Sequence, residues 1–172
     1  MFFGIAISLS VLTHGCIDSA DKTAAISQRA AAAASPALTS EQEEYRRFFA
    51  RHGSPAPVEM AKAVTAAKPH NRPVLAAVAI VESNANPKAV GDGGSSHGAF
   101  QVQPRHWSKV STSPVHQALQ AEQILEELVA SNARGSNRWR TALVRYNSGG
   151  TTNPVSRRYA DRVIALAKEV KP

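Results

Sequence analysis

The sequence predicts a mainly α domain of about six helices with one small β excursion in its middle. Three observations carry this. Apolar residues recur at i, i+3, i+4 and i+7 in successive windows, most of them opened by a capping residue or Pro and closed by Gly. One stretch, from Pro87 to Pro104, breaks that period and is rich in Gly and Ser. The chain has 172 residues, 43% of them hydrophobic and 19% charged, with no internal repeat, which leaves room for one substantial core.

The elements follow in order. Residues 1–16 read as an export signal: Phe2 to Leu12 is an apolar run, and Thr13-His14-Gly15-Cys16 follows with a small residue where cleavage can occur. Residues 17–39 are an Ala/Ser/Thr-rich tether without the large apolar residues of a core. The domain occupies residues 40–172. Its first helix opens on a capping box of Ser40 and Glu43, presents Tyr45, Phe48 and Phe49 inward and stops at Gly53. A second begins near Pro57 with the stripe Met60, Ala63, Val64, Ala67, and Pro73 opens a third. From Pro87 to Pro104 a turn and one short hairpin are expected. Ser113-Pro114 starts a long fourth helix with Ala121, Ile124, Leu125 and Leu128 inward, ending near Gly135. Ser136 caps a fifth, in which Trp139, Ala142, Leu143 and Tyr146 share a face before Asn147-Ser148-Gly149-Gly150. Asn153-Pro154 opens the last, with Val155, Tyr159, Val163, Leu166 and Val170 down one side.

Composition excludes several classes. A single Cys rules out a disulfide scaffold, and no apolar run reaches the roughly 18 residues of a membrane-spanning helix. The six His are scattered without a His-Glu-x-x-His pattern, so no metal is expected. No Gly-rich phosphate loop ends in Lys-Ser or Lys-Thr, and no cofactor is expected. Twenty Lys and Arg against thirteen Asp and Glu give a net charge of +7, which suits an anionic partner: nucleic acid, membrane surface or cell-wall polymer. Arg134, Arg138, Arg140, Arg145, Arg157, Arg158 and Arg162 are dispersed over several elements, which argues against a recognition helix for nucleic acid.

One residue stands out chemically. Leu75, Val78, Ala79 and Glu82 occupy i, i+3, i+4 and i+7 of the third helix, so a carboxylate lies on an apolar stripe. A carboxyl facing a core loses hydration, holds its proton toward neutral pH and can serve as a general acid. Read alone, Glu82 is better taken as a partly exposed helix-end residue that caps or pairs with Arg or Lys, and its neighbourhood is what overturns that.

Together, Val81-Glu82-Ser83, Asn86-Pro87-Lys88-Ala89-Val90, Gly98-Ala99-Phe100-Gln101 with Pro104, and Arg145-Tyr146-Asn147-Ser148-Gly149 resemble the SLT-like lytic transglycosylase catalytic domain of the lysozyme-like superfamily. These core motifs span residues 73–150. The resemblance implies a lysozyme-like α+β fold whose helices surround a glycan-binding cleft, with the glycan strands of peptidoglycan as partner. It implies that Glu82 protonates the glycosidic oxygen between N-acetylmuramic acid and N-acetylglucosamine. The same carboxyl then takes the proton of the muramoyl 6-hydroxyl, which closes onto C1 to leave a 1,6-anhydro end. An intramolecular hydroxyl is already in place, so one acid/base carboxyl suffices where hydrolases commonly employ two. Ser83, Gly98, Phe100, Gln101, Tyr146 and Asn147 become substrate-binding or supporting residues, Gly98 by letting glycan approach the backbone and Tyr146 by setting its hydroxyl near Glu82. Taken singly, Tyr146 is a core tyrosine, Asn147 a helix cap and Gln101 an outward strand residue.

Gly91-Asp92-Gly93-Gly94 resembles the hairpin of some animal lysozymes, where a second carboxylate serves hydrolysis. Asp92 is therefore either a turn residue bonding its own backbone or the second group of a hydrolytic muramidase. A non-catalytic peptidoglycan-binding module is a further alternative. Cys16, directly after the apolar run, resembles the lipidated Cys of a bacterial lipoprotein, although no Lys or Arg precedes the run and Thr13 replaces the usual aliphatic residue. An exported protein in the periplasm or cell envelope is the resulting expectation, either free or lipid-anchored through Cys16, and the resemblance makes a secretion, conjugation or pilus machine a candidate partner.

Overall fold

The computed structural model describes residues 37–103, 111–131, 137–150 and 152–170. The export segment, Cys16, most of the tether, Pro104, Arg134, Gly135 and Ser136 lie outside them. Among the described residues there are six α-helices: α1 (Ser40–Arg51), α2 (Pro57–Thr65), α3 (Arg72–Ser83), α4 (Pro114–Ser131), α5 (Arg138–Ser148) and α6 (Pro154–Ala167). Between α3 and α4, β1 (Val90–Gly91) and β2 (Ser96–His97) pair antiparallel, Val90 opposite His97 and Gly91 opposite Ser96. His97 also bridges Val102, which extends the hairpin by one backward turn. This is the mainly helical, α+β architecture expected from the sequence.

Helix α3 is the hub. Leu75, Ala76, Ala77, Val78, Ala79 and Ile80 are all buried, so the helix is covered on every side where the sequence suggested a single stripe. Its three alanines, Ala76, Ala77 and Ala79, let neighbours approach closely. Helix α6 packs along it; α1 packs on α2, α2 on α4, α4 on α5 and α5 on α6, closing the bundle. Tyr45, Phe48, Phe49, Met60 and Phe100 supply the bulk of the core. Two polar anchors fix the start of α3: Arg72 Nη1 donates to Glu41 at 2.6 Å and 2.7 Å, and Asn71 Nδ2 donates to the buried Glu122 at 2.9 Å.

Several sequence expectations shift in detail. The box on α1 is made by Thr39 and Gln42, one residue earlier than Ser40 and Glu43: Gln42 N donates to Thr39 Oγ1 at 3.2 Å and Thr39 N to Gln42 Oε1 at 3.0 Å. Both frames fit the motif. The one adopted leaves Glu43 to bind Arg46 and lets Gln42 reach Thr65 Oγ1 at 3.1 Å. On α6, Val155 is 61% exposed and the inward stripe begins instead at Ser156, which closes a capping box with Asn153 and is followed by Tyr159, Ala160 and Val163. Asn137 occupies the N-cap of α5. Gln101 sits in a turn with φ 48° rather than in an alternating strand.

Candidate active site

The last turn of α3 carries Glu82 to the mouth of a cleft between the helices and the hairpin. The chain leaves the helix through two successive left-handed residues, Asn84 (φ 53°) and Ala85 (φ 54°), whose amides close on Ile80 and Ala79 carbonyls at 2.9 Å and 2.7 Å. Ser83 locks this exit, donating through Oγ to Ala99 O at 2.9 Å and accepting from Asn86 N at 3.0 Å. On the other side Ser54 Oγ donates to Ala85 O at 3.0 Å. Ser83 is thus a brace between the helix end and the hairpin base.

A cavity of about 280 Å³ is lined by Glu82, Asp92, Ser96, Gln101, Val102, Gln103, Ile124, Tyr146 and Asn147. Burial raises the Glu82 carboxyl from its ordinary 4.5 to about 7; a hydrogen bond from Tyr159 opposes the shift and the negative charge of Asp92 adds to it. The Tyr159 hydroxyl donates to Glu82 Oε1 at 2.6 Å. Tyr146 donates its hydroxyl to Phe100 O at 2.8 Å, and burial together with the nearby Glu82 charge keeps its phenol well above its usual range. Glu82 is therefore flanked by two neutral phenols and opens onto a polar cavity, the setting in which a carboxyl holds a transferable proton near neutral pH.

Of the residues singled out from sequence, Glu82, Asp92, Gln101, Tyr146 and Asn147 meet on this cavity, and Asn147 is exposed at its rim. Ser83, Gly98 and Phe100 do not line it. Phe100 is fully buried and contributes its carbonyl to Tyr146 while its ring packs in the core. Gly98 (φ +75°) lies against Gln117, whose carboxamide a Cβ would strike, so internal packing by itself demands the glycine. Gln117 uses that contact to accept from Ala99 N at 2.9 Å and donate to Pro87 O and Ser111 O, both at 3.0 Å. Gln101 braces the hairpin from within: its Nε2 donates to Gly98 O at 2.9 Å and its Oε1 abuts Gly91 where a Cβ would be.

Asp92 (φ 50°) does not turn its carboxylate onto its own backbone. Oδ2 accepts from Ser96 Oγ at 2.5 Å and from Gln103 Nε2 at 3.3 Å, and Gln103 Nε2 reaches Ser96 Oγ at 3.2 Å. Sequence reasoning missed Gln103, Ser96 and, above all, Tyr159. The signal for Tyr159 was present: it shares an inward stripe with Val163, and a buried phenol needs a hydrogen-bond partner, as Glu82 does. Among the described residues, no group of three His, Cys, Asp or Glu is placed to hold a metal ion.

With this geometry in view, comparison with known proteins adds one finding. The model of the transglycosylase SLT domain matches residues 59–163, well over half of the chain, from α2 through most of α6. The chain belongs to the transglycosylase SLT family. The matched residues carry every group that lines the cavity, together with Tyr159. At family level this is a peptidoglycan-acting domain of the lytic transglycosylase type. No curated protein and no solved structure matches the chain.

Proposed function

We propose that this SLT domain is a lytic transglycosylase that cleaves the β-1,4 bond between N-acetylmuramic acid and N-acetylglucosamine, with Glu82 as the single general acid and base. The observation that carries the reading is the Glu82 carboxyl itself, raised to about 7 by burial, held by Tyr159 at 2.6 Å and presented to the cavity. Protonated Glu82 gives its proton to the glycosidic oxygen as the bond from that oxygen to C1 breaks, freeing the 4-hydroxyl of N-acetylglucosamine. The muramoyl 6-hydroxyl attacks C1 and its proton returns to the Glu82 carboxylate. The enzyme is regenerated and no water is consumed. Tyr159 holds the carboxyl in one rotamer, and Tyr146, itself tied to Phe100 O, walls the site on the α5 side.

Asp92 supports a second reading. Its carboxylate lines the same cavity as Glu82 and receives two donors, Ser96 and Gln103, which fix its orientation. A charged carboxylate there could orient water or stabilise positive charge at C1, giving a hydrolytic muramidase. Digestion of purified peptidoglycan followed by mass spectrometry separates the two. Anhydromuramoyl ends, one water lighter than hydrolysis products, are expected; reducing muramic acid ends would replace the transglycosylase by the muramidase. Binding to peptidoglycan without any cleavage would leave a wall-binding module.

We further propose that the protein is exported and acts in the periplasm or cell envelope, anchored through lipidated Cys16, where it opens the wall locally for a secretion, conjugation or pilus machine. The apolar run Phe2 to Leu12 with Cys16 behind it supports the first part, and the peptidoglycan substrate of the family supports the compartment.

A further inference from the structure

The outer face of α6 is chemically one-sided. Ser156, Tyr159, Ala160 and Val163 point inward. At 100° per residue, Arg157, Arg158, Arg162 and Lys168 fall together on the opposite side, and all four are exposed. Two acidic residues fall on the same side, Asp161 and Glu169, and Asp161 is already neutralised by a paired contact with Arg140 of α5 at 2.8 Å and 3.0 Å. Glu169, just beyond the helix, contacts His52 at 3.2 Å. Three of the arginines dispersed along the sequence, Arg157, Arg158 and Arg162, thus gather with Lys168 into one net cationic face. Val155, 61% exposed, stands three residues before Arg158 and seven before Arg162, on the arginine side of the helix.

We propose that this face of α6 docks the domain on an anionic lipid bilayer. Guanidinium groups bind phosphate in fork geometry and are weakly hydrated, which suits a headgroup layer. Each basic residue near such a surface strengthens binding about fivefold, so three or four together produce substantial binding. An exposed Val among them favours a bilayer over a soluble wall polyanion, because only the bilayer offers it apolar surroundings. Tyr159 leaves α6 on the inward side to meet Glu82, so the docked face and the carboxyl lie on opposite sides of the helix.

The test compares the full-length protein on vesicles of pure phosphatidylcholine and of phosphatidylcholine with about one third phosphatidylglycerol, by co-sedimentation at low and high salt. The N-terminal apolar run is common to every variant, so the ratio of anionic to neutral binding isolates the basic face. The wild type is expected to favour anionic vesicles about tenfold or more, with the preference collapsing at high salt. R157Q/R158Q/R162Q is expected to abolish the preference, and V155S to reduce it about two- to threefold. R47Q/R51Q/K88Q removes the same charge from exposed positions elsewhere and is expected to keep it. Equal losses in the two triple variants would overturn the proposal in favour of net charge alone. An unchanged vesicle ratio in the α6 variant, with weakened binding to isolated peptidoglycan, would overturn it in favour of the wall. Circular dichroism melts of both triple variants should overlay that of the wild type, since all six residues are exposed.

Discussion

Glu82 concentrates the chemistry, and its proton sets two pH dependences of opposite use. As a general acid it must be protonated, so cleavage is expected to fall as pH rises through about 7, measured as the alkaline limb of the kcat/KM profile. In stability the folded carboxyl holds its proton up to about 7 while the unfolded one releases it near 4.5, so the native state binds more protons between those values. Stability associated with Glu82 is therefore full below about 4.5 and is lost as pH rises toward 7. Glu82→Gln is expected to abolish cleavage yet to leave the fold intact and raise the melting temperature at pH 8, by the equivalent of about 1–3 kcal/mol, with no gain at pH 4. Wild-type turnover in a folded Glu82→Gln protein would remove Glu82 from the mechanism. Tyr159→Phe deletes the hydrogen bond that opposes the shift, so the alkaline limb should move to higher pH while kcat drops about tenfold through loss of carboxyl orientation. Asp92→Asn removes a charge that raises the Glu82 carboxyl, so the limb should move to lower pH with most of the turnover kept. A loss as deep as that of Glu82→Gln would make Asp92 catalytic.

The hairpin is the element whose small parts are least replaceable. Gly98→Ala is expected to destabilise the protein by about 2 kcal/mol or more, because it combines a left-handed backbone with a clash against Gln117 inside a packed site; chemical denaturation measures it. The loss should extend to activity, since Gln117 ties Ala99, Pro87 and Ser111 together beneath the cavity. This element also marks the limit of what could be read from residues alone. Helical periods exposed the six helices because burial repeats every 3.6 residues, and Glu82 announced itself as a carboxyl on such a repeat. The hairpin carries no period. Its glycines showed a turn, but whether each glycine serves a ligand or a neighbouring side chain depends on contacts from elements far along the chain, as Gln117 on Gly98 illustrates. Tyr159 was legible as inward-facing and no further, since its partner lies on α3, many residues earlier. The one-residue slips on α1 and α6 have a related origin: two overlapping capping frames and two adjacent apolar phases differ little locally, and tertiary contacts chose between them.

For the whole molecule, the bundle and the cleft divide their tasks. The core is built on α3, covered all round, while the cavity is assembled at its C-terminal end from α4, α5 and the hairpin, with α6 behind the carboxyl. The four non-glycine residues with positive φ among those described, Asn84, Ala85, Asp92 and Gln101, all fall between the end of α3 and the turn that follows β2, in the stretch that shapes the cavity. Left-handed backbone costs most side chains about 1 kcal/mol and is tolerated best by Gly, Asn and Asp. In evolutionary terms the stretch from 84 to 101 is a narrow corridor. Of random replacements selected for fold and cleavage, those surviving at 84 should be nearly confined to Gly, Asn and Asp, and β-branched residues should vanish from 84, 85, 92 and 101, whereas the outward positions of α1 accept almost anything. Descendants of this chain would then diverge quickly in their helices while the segment that shapes the cleft changes slowly, held back by the backbone it must adopt as much as by the chemistry it performs.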